Sequence, residues 1–191
     1  IIKKVDMESF AAVRKSGMFV IKLKQGDELG WVLTTSGNDQ IILVTSGGSA
    51  IRFKEKDVRP MGRSAAGVIG IRLDKEEKVV GADVSPSGAE KGLYVLAIMK
   101  KGYGKRTDLK FYKVQKRGGR GIMTAKITSK TGDLVSAHVT SEENKELIAV
   151  SRKGQVIRTS IESISILSRA TQGVRIMRVE TDDGLALVVM V

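Results

Sequence analysis

The chain has 191 residues, which fits one domain or a piece of a larger one. Its 33 Lys and Arg residues outnumber 21 Asp and Glu residues, and a net charge of +12 indicates an anionic partner, either nucleic acid or a membrane surface. Cysteine is absent, which excludes disulfides and thiolate metal sites and favours the cytoplasm. No apolar run approaches the roughly 20 residues of a membrane-spanning helix. The chain begins at Ile1 without a methionine and is interpreted as an excised fragment.

Paired glycines reveal an internal repeat. Three glycines are each followed 19 residues later by a second one: Gly48 and Gly67, Gly102 and Gly121, and Gly154 and Gly173. An arginine follows each first glycine by four residues and another precedes each second glycine by four: Arg52, Arg106 and Arg158, then Arg63, Arg117 and Arg169. The period is about 52 residues. We expect one domain over 1–191, built from a partial unit (1–37) and three full ones (38–87, 88–139 and 140–191).

The residue pattern of each full unit predicts four short strands. In the second unit, the β-branched run 40–45 ends at Ser46-Gly47-Gly48 and resumes at 50–53, as in a hairpin, and 67–73 and 79–84 follow. The later units repeat this pattern at 93–99, 103–107, 122–127 and 134–139, and at 146–151, 155–159, 174–179 and 185–191. Four strands per unit of this length are typical of an all-β, propeller-like architecture, in which neighbouring blades must pack on one another.

One loop differs from its equivalents in charge. Gln115-Lys116-Arg117-Gly118-Gly119-Arg120-Gly121, the heptad loop, has three cations and three glycines and can form neither a buried strand nor a stable helix. Residues 88–139 contain 12 basic and 3 acidic residues, so that this unit supplies +9 of the total charge. Such a concentration favours a docking surface for a polyanion over a charge that serves solubility.

The spacing of Gln, a basic pair, two glycines, a base and a glycine in the heptad loop resembles the gyrase A box. That box is the signature of the C-terminal DNA-wrapping domain of the A-type subunits of bacterial DNA gyrases, usually written Gln-Arg-Arg-Gly-Gly-Lys-Gly. The resemblance implies a β-pinwheel, a propeller-like ring whose blades exchange strands, here as an incomplete ring; the sequence alone does not separate it from an ordinary propeller. The family usually places its box in the first blade, which we expect upstream of residue 1.

The resemblance also implies a function. The domain would bind and wrap double-stranded DNA around a basic rim, largely independently of base sequence, so that the holoenzyme introduces negative supercoils. The chain alone is expected not to be an enzyme but to belong to an ATP-dependent type IIA topoisomerase. Its partners would be the gyrase A N-terminal domain, which cleaves DNA, and gyrase B, in an A2B2 complex, with no membrane. We expect no cofactor or metal in this fragment, since ATP and Mg²⁺ act in other domains.

The predicted DNA contacts are the heptad loop, the basic residues before it and the repeated arginines. They are Gln115, Lys116, Arg117, Gly118, Gly119, Arg120, Gly121, Lys100, Lys101, Lys105, Arg106, Lys110, Lys113, Arg52, Arg63, Arg158 and Arg169. The glycines are expected to present backbone amides to phosphate. No residue is predicted to be catalytic; Tyr103 and Tyr112 are candidates for touching DNA, and Trp31 is expected to pack within a strand.

Two alternatives stay open. The first is the related A-type subunit of topoisomerase IV, whose C-terminal domain usually has a degraded box or none, so that the intact heptad loop argues against it. The second is a propeller-type protein-interaction module whose basic blade binds an acidic partner.

Overall fold

Short β-strands make up nearly all the regular structure of this computed structural model, which describes residues 1–13, 15–88, 90–143 and 145–191. The strands in those ranges are β1 Gln40–Thr45, β2 Ser49–Lys54, β3 Val79–Ser85, β4 Tyr94–Met99, β5 Tyr103–Asp108, β6 Ile122–Met123, β7 Leu134–Thr140, β8 Glu146–Ser151, β9 Val156–Ser160, β10 Val174–Arg175 and β11 Leu185–Met190. The same residues form three 3₁₀ segments, Met7–Phe10, Glu55–Asp57 and Leu109–Phe111, and no helix that is long and apolar enough to cross a membrane. The all-β prediction is confirmed.

The hairpins predicted from the β-branched runs are present. β1 and β2 pair antiparallel with Leu43 opposite Ile51, and β4 and β5 pair in the same way with Ala97 opposite Lys105. Each hairpin turns at a glycine with positive φ, 88° at Gly48 and a smaller angle at the equivalent turn of the second hairpin. Glycine adopts this conformation without the steric cost that a side chain would add.

The blades exchange strands. The first sheet has the order β3-β1-β2-β6 and the second has the order β10-β5-β4-β7. β6 therefore comes from the unit 88–139 but completes the sheet of the unit 38–87, and β10 passes from the unit 140–191 to the second sheet in the same way. The third sheet, β11-β8-β9, has no such strand among the described residues. Strand exchange of this kind distinguishes a β-pinwheel from an ordinary propeller. The three sheets are open.

β4 buries both of its faces, one against each neighbouring blade. Val95, Ala97 and Met99 pack in a core shared with β1, whereas Leu96 and Ile98 pack in a second core shared with β8. The alternation follows from the two-residue period of a strand. The edge strand β7 contacts both β3 and β11, which are the edge strands of the neighbouring sheets. The opposite edges, formed by β6, β10 and β9, are called the outer edges below.

The third strand of each unit is shorter than predicted. The prediction for 122–127 is reduced to β6 and that for 174–179 to β10, while 67–73 contributes one bridged residue, Val68. The two amides that follow β6 both donate to the Gly48 carbonyl, which turns the chain away from the edge of the sheet. An exchanged strand thus pairs with its host sheet over a short length.

The first unit also differs from the prediction. Residues 15–39 form no strand, and Trp31 lies outside any strand with its side chain 40% exposed. Phe19 is 90% exposed. With no strand formed in this segment, these apolar side chains do not pack into the core of a sheet.

The close approach of the exchanged strand can be tested by adding a methyl group at Gly173. Gly173 and Gly154 both have positive φ, 77° and 85°, but a Cβ at Gly173 would lie 2.6 Å from the Gly104 carbonyl oxygen, whereas Gly154 faces open space. We expect Gly154→Ala to lower the free energy of unfolding by about 1–2 kcal/mol. Gly173→Ala should cost about 1–3 kcal/mol more through overpacking. Equal losses in urea denaturation would contradict the close approach.

Candidate nucleic-acid interface

The heptad loop lies along the outer edge of the first sheet. The backbone amide of Gln115 donates to the backbone carbonyl of Arg52 at 2.7 Å. Gly121 passes so close to the Ala50 carbonyl that no side chain would fit. Since Gly121 also has a φ of 79°, a glycine is required there for two reasons. The loop of one unit is therefore mounted on the sheet of the preceding unit.

The glycines of the loop serve its attachment to the protein. Gly118 has a φ of 78°, and its amide donates to the Gly70 carbonyl at 2.6 Å. The Gly119 carbonyl accepts from the Arg72 amide at 2.8 Å. The Gly118 amide is thus bonded within the protein, which corrects the expectation that it is presented to phosphate.

Arg117 anchors the heptad loop to the preceding unit. Its Nε donates to the Asp57 carbonyl at 2.9 Å and its Nη1 to the Ile69 carbonyl at 3.0 Å. The equivalent Arg169 donates from Nη1 to the Met123 carbonyl at 2.9 Å. In two of the units, the arginine that precedes the second glycine by four residues therefore bonds its own loop to the preceding unit at the outer edge.

Lys116 and Arg120 are the cations that the loop presents to solvent. Lys116 is exposed, and the Arg120 side chain is 73% exposed although its guanidinium pairs with the Asp74 carboxylate. Exposed ion pairs contribute only about 0–1 kcal/mol, so a phosphate can compete with Asp74 for Arg120. Neither Arg117 nor Arg120 is buried in a salt bridge.

Arg52 is buried and holds two units together. Its guanidinium donates from Nη1 to the carbonyls of Leu109 and Tyr112, at 3.3 and 3.2 Å, and from Nη2 to Glu90 at 2.8 Å. With 1% of its side chain exposed it cannot reach a duplex, and we remove it from the predicted DNA contacts. Arg106 has the equivalent place in the second sheet and donates to the carbonyls of Glu162 and Ile164, both at 2.9 Å.

Lys105 is also buried. Its ammonium group donates to the carbonyls of Ser168 and Arg169 and to the Thr171 hydroxyl, so that three acceptors match its three N–H groups. Burial, and secondarily the charge of Arg169, lowers the pKa of Lys105 to about 8. Lys105 fixes the loop of the next unit on the second sheet and is likewise removed from the predicted contacts.

The remaining predicted cations are spread over several loops. Lys100, Lys101, Lys110, Lys113, Arg63 and Arg158 all keep surface accessibility. Lys110 pairs with Asp108 at 2.8 Å, and Arg158 pairs with Glu146 on its own blade.

Tyr112 is not available to DNA, contrary to the expectation from sequence. Its ring is 1% exposed and its hydroxyl bonds the Thr124 hydroxyl in the core. Tyr103 is 7% exposed but lies under a group of cations that the sequence analysis missed, namely Lys130, Arg175 and Arg178. Arg175 reaches Tyr103 because β10 leaves its own unit, and no local signal in the sequence indicates this.

Strand exchange redistributes the charge that the sequence concentrates in one unit. The heptad loop belongs to the most basic unit but lies at the outer edge of the first sheet, and it brings Lys116, Arg117 and Arg120 there. Arg175 and Arg178 move from the electrically neutral last unit to the second sheet. Two neighbouring outer edges are basic as a result. Among the described residues, no cluster of His, Cys, Asp and Glu could hold a metal ion.

The chain matches a protein-family model described as the DNA gyrase C-terminal domain, beta-propeller, over residues 1–36, 39–86, 94–141 and 145–191. It is 44% identical over 183 residues to the DNA gyrase A protein of Ureaplasma parvum and 39% identical over 192 residues to that of Staphylococcus aureus. These alignments cover 96% and 100% of this chain but 21% of each relative. The chain thus spans about a fifth of the length of these relatives.

Two solved structures share the architecture. A DNA gyrase A C-terminal domain is 29% identical with a TM-score of 0.76, covering 92% of this chain and 58% of the solved one. The C-terminal domain of a DNA topoisomerase IV is 23% identical with a TM-score of 0.89, covering 99% of this chain and 58% of the solved one. At that identity, the second similarity shows the fold alone.

The buried ammonium group of Lys105 predicts a specific pH dependence. An unfolded lysine has a pKa near 10.4, so between about pH 8 and 10.4 the unfolded chain binds more protons at this site than the folded chain. The contribution of this site to the free energy of unfolding therefore rises with pH through that window. We therefore expect the free energy of unfolding of the natural chain, measured in urea, to rise between about pH 8 and pH 10 relative to that of Lys105→Met. A difference that is constant with pH would contradict this.

Arg117 and Arg120 should respond differently to the same conservative change. Arg117→Lys keeps the charge but loses the guanidinium that reaches two carbonyls, and should lower the free energy of unfolding by about 1–2 kcal/mol. Arg120→Lys alters an exposed ion pair and should change it by less than about 0.5 kcal/mol. Thermal and urea unfolding of the two variants test this, and equal effects would exclude an anchoring role for Arg117.

Proposed function

Because the chain belongs to the DNA gyrase C-terminal domain family, we propose that it is the part of a gyrase A protein that binds double-stranded DNA on its outer edges. The observation that carries this proposal is the heptad loop. Arg117 fixes the loop on the first sheet, while Lys116 and Arg120 remain exposed. A loop that is fixed in place and carries exposed cations suits a phosphate backbone, because binding then orders few side chains.

Recognition would rest on phosphates and not on bases. The helical segments among the described residues are three or four residues long, too short to enter a major groove as a recognition helix. Each neutralised phosphate releases condensed counterions, and the affinity gained in this way is independent of sequence. The heptad loop therefore acts as an electrostatic contact with a fixed position.

Cations on successive blades support the proposal that the chain wraps DNA. Bending 20–30 base pairs by 40–90° costs on the order of 1–6 kcal/mol, which several separated contacts can offset. Basic outer edges on two neighbouring sheets provide such contacts. In the A2B2 holoenzyme the wrapped duplex would present a segment for strand passage, and this yields negative supercoils.

The chain itself would perform no chemistry in this scheme. DNA cleavage would belong to the N-terminal domain of gyrase A, whereas ATP hydrolysis, with Mg²⁺, would belong to gyrase B. The proposed contribution of this domain is to bind, bend and orient the duplex.

The A-type subunit of topoisomerase IV is the second candidate, because the C-terminal domain of such an enzyme shares this fold with a TM-score of 0.89. The intact heptad loop favours gyrase, since sequence at the loop and not the shared fold would distinguish the two functions. Supercoiling of relaxed circles separates the candidates: a gyrase protein reconstituted with its partners introduces negative supercoils, and a topoisomerase IV protein does not.

The test of DNA binding is a mobility-shift series with duplexes of increasing length at increasing salt. The matched variants are Lys116→Gln/Arg120→Gln and, as a control with the same charge change, Lys91→Gln/Lys145→Gln at two other exposed lysines. We expect the slope of log affinity against log salt to become shallower by about two units in the first variant only, since each contact contributes about 0.9.

Three results would overturn the proposal. The first is an unchanged salt slope in the heptad variant, and the second is an equal loss of duplex affinity in the heptad and control variants. The third is binding of an acidic polypeptide in preference to any duplex. For wrapping, relaxed circles ligated with the chain bound should show a shifted topoisomer distribution, which is lost when duplex binding is lost.

A further inference from the structure

A basic cleft lies at the outer edge of the second sheet, apart from the heptad loop. It has a volume of about 410 Å³ and is lined by residues of the β4–β5 turn, of the 127–132 turn and of the segment that follows β10. Its cations are Lys101, Lys130, Arg175 and Arg178, and its one carboxylate is Glu180. The cleft is open to solvent and could admit a phosphodiester.

Tyr103 arranges two of the cations. The Arg175 guanidinium and the Lys130 ammonium each lie 5.4 Å from the centroid of its ring, within the range of cation–π attraction. Arg175 Nη2 also donates to the Tyr103 hydroxyl at 2.9 Å. This hydrogen bond, together with the nearby positive charges, lowers the pKa of Tyr103. The ring is 7% exposed, so it forms the floor of the cleft and the cations form its walls.

The cations of the cleft have no matching negative charge. Among the ion pairs of the described residues, none includes Lys101, Lys130, Arg175 or Arg178, and Glu180 pairs with Lys153 at 3.0 Å. Four like charges in one cleft repel one another, and a bound anion relieves that repulsion. Guanidinium groups also match the geometry of phosphate with two parallel hydrogen bonds.

The cleft exists only because of strand exchange. Tyr103 and Lys130 belong to the unit 88–139, whereas Arg175 lies on β10, where it pairs in register with Tyr103. The two arginines and the two lysines therefore come from different repeats. Two units build one anion site on the outer edge, one sheet away from the heptad loop.

We propose that the Tyr103 cleft binds a backbone phosphate of the duplex, as a second fixed contact beyond the heptad loop. This inference rests on the proposed function, since it names a further part of the same DNA path. It predicts that a long duplex contacts both sheets, whereas a short duplex contacts the heptad loop alone. The cleft would thereby contribute to bending and not only to affinity.

Lysine labelling tests the proposal on the unaltered chain. Acetylation rates of individual lysines are measured by mass spectrometry with no ligand, with a saturating long duplex, and with millimolar inorganic phosphate or polyphosphate. We expect the duplex to slow acetylation of Lys130 and Lys116 several-fold and to leave Lys145 unchanged. If the duplex protects Lys116 but not Lys130, the cleft proposal is wrong and DNA binding stands. If neither lysine is protected, the proposed function itself fails.

The measurement with inorganic phosphate or polyphosphate distinguishes two ligands for the cleft, a backbone phosphate of the duplex and a free phosphate. Protection of Lys130 by inorganic phosphate or polyphosphate, with none by the duplex, would assign the cleft to a free phosphate ligand and overturn the DNA contact. Protection by the duplex at concentrations where inorganic phosphate has no effect supports it.

A matched pair of variants gives a second readout. Lys130→Gln/Arg175→Gln should lower affinity for a long duplex about tenfold and make its salt slope shallower by about two units, with a smaller effect on a short duplex. Lys91→Gln/Lys145→Gln changes the charge equally and should do neither. Tyr103→Phe keeps the ring but loses the hydrogen bond to Arg175, and should cause a smaller loss than the double variant. Equal losses in the cleft and control variants, or losses independent of duplex length, would overturn the proposal.

Discussion

The pairing of a two-residue strand with the sheet of the preceding unit is the constraint that shapes the whole molecule. β6 pairs with β2 and β10 pairs with β5, each over two residues, and the glycine before each strand must pass against a backbone carbonyl of its host sheet. A short strand contributes few hydrogen bonds, so its attachment needs support from elsewhere. The loop that precedes it supplies that support, because it crosses the outer edge and is bonded there by side chains.

Basic side chains therefore have two roles in this protein. Arg52 and Lys105 are buried, and their donors are satisfied chiefly by carbonyls of the next unit. Burying such a cation is costly unless its charge finds partners. Lys105 has three acceptors, and Arg52 has two carbonyls and the Glu90 carboxylate. Lys116, Arg120 and the cations around Tyr103 remain at the surface, and these are the residues that we propose contact the duplex. Residue type alone does not distinguish the two groups.

The fold is shared more widely than the charge pattern. The backbone superposes on C-terminal domains of both DNA gyrase and topoisomerase IV. A common scaffold that mounts each loop on the neighbouring sheet leaves the exposed loop positions free to vary, because the mount uses glycines, backbone carbonyls and anchoring arginines such as Arg117. Function then lies in which loops carry exposed cations. In this chain the heptad loop and the Tyr103 cleft occupy successive outer edges, so that a polyanion would meet them in turn.

Local patterns in the sequence are enough to predict the repeat, the all-β class, the hairpins and the heptad loop, since these depend on β-branched runs, turn glycines and charge. The spacing of the heptad also predicted the family. Three-dimensional packing was needed to establish that strands are exchanged, that Arg52, Lys105 and Tyr112 are buried, and that Arg175 joins Tyr103. The cause is distance along the chain. Whether a cation is buried depends on carbonyl groups about sixty residues away, and no local pattern indicates which sheet a strand will join.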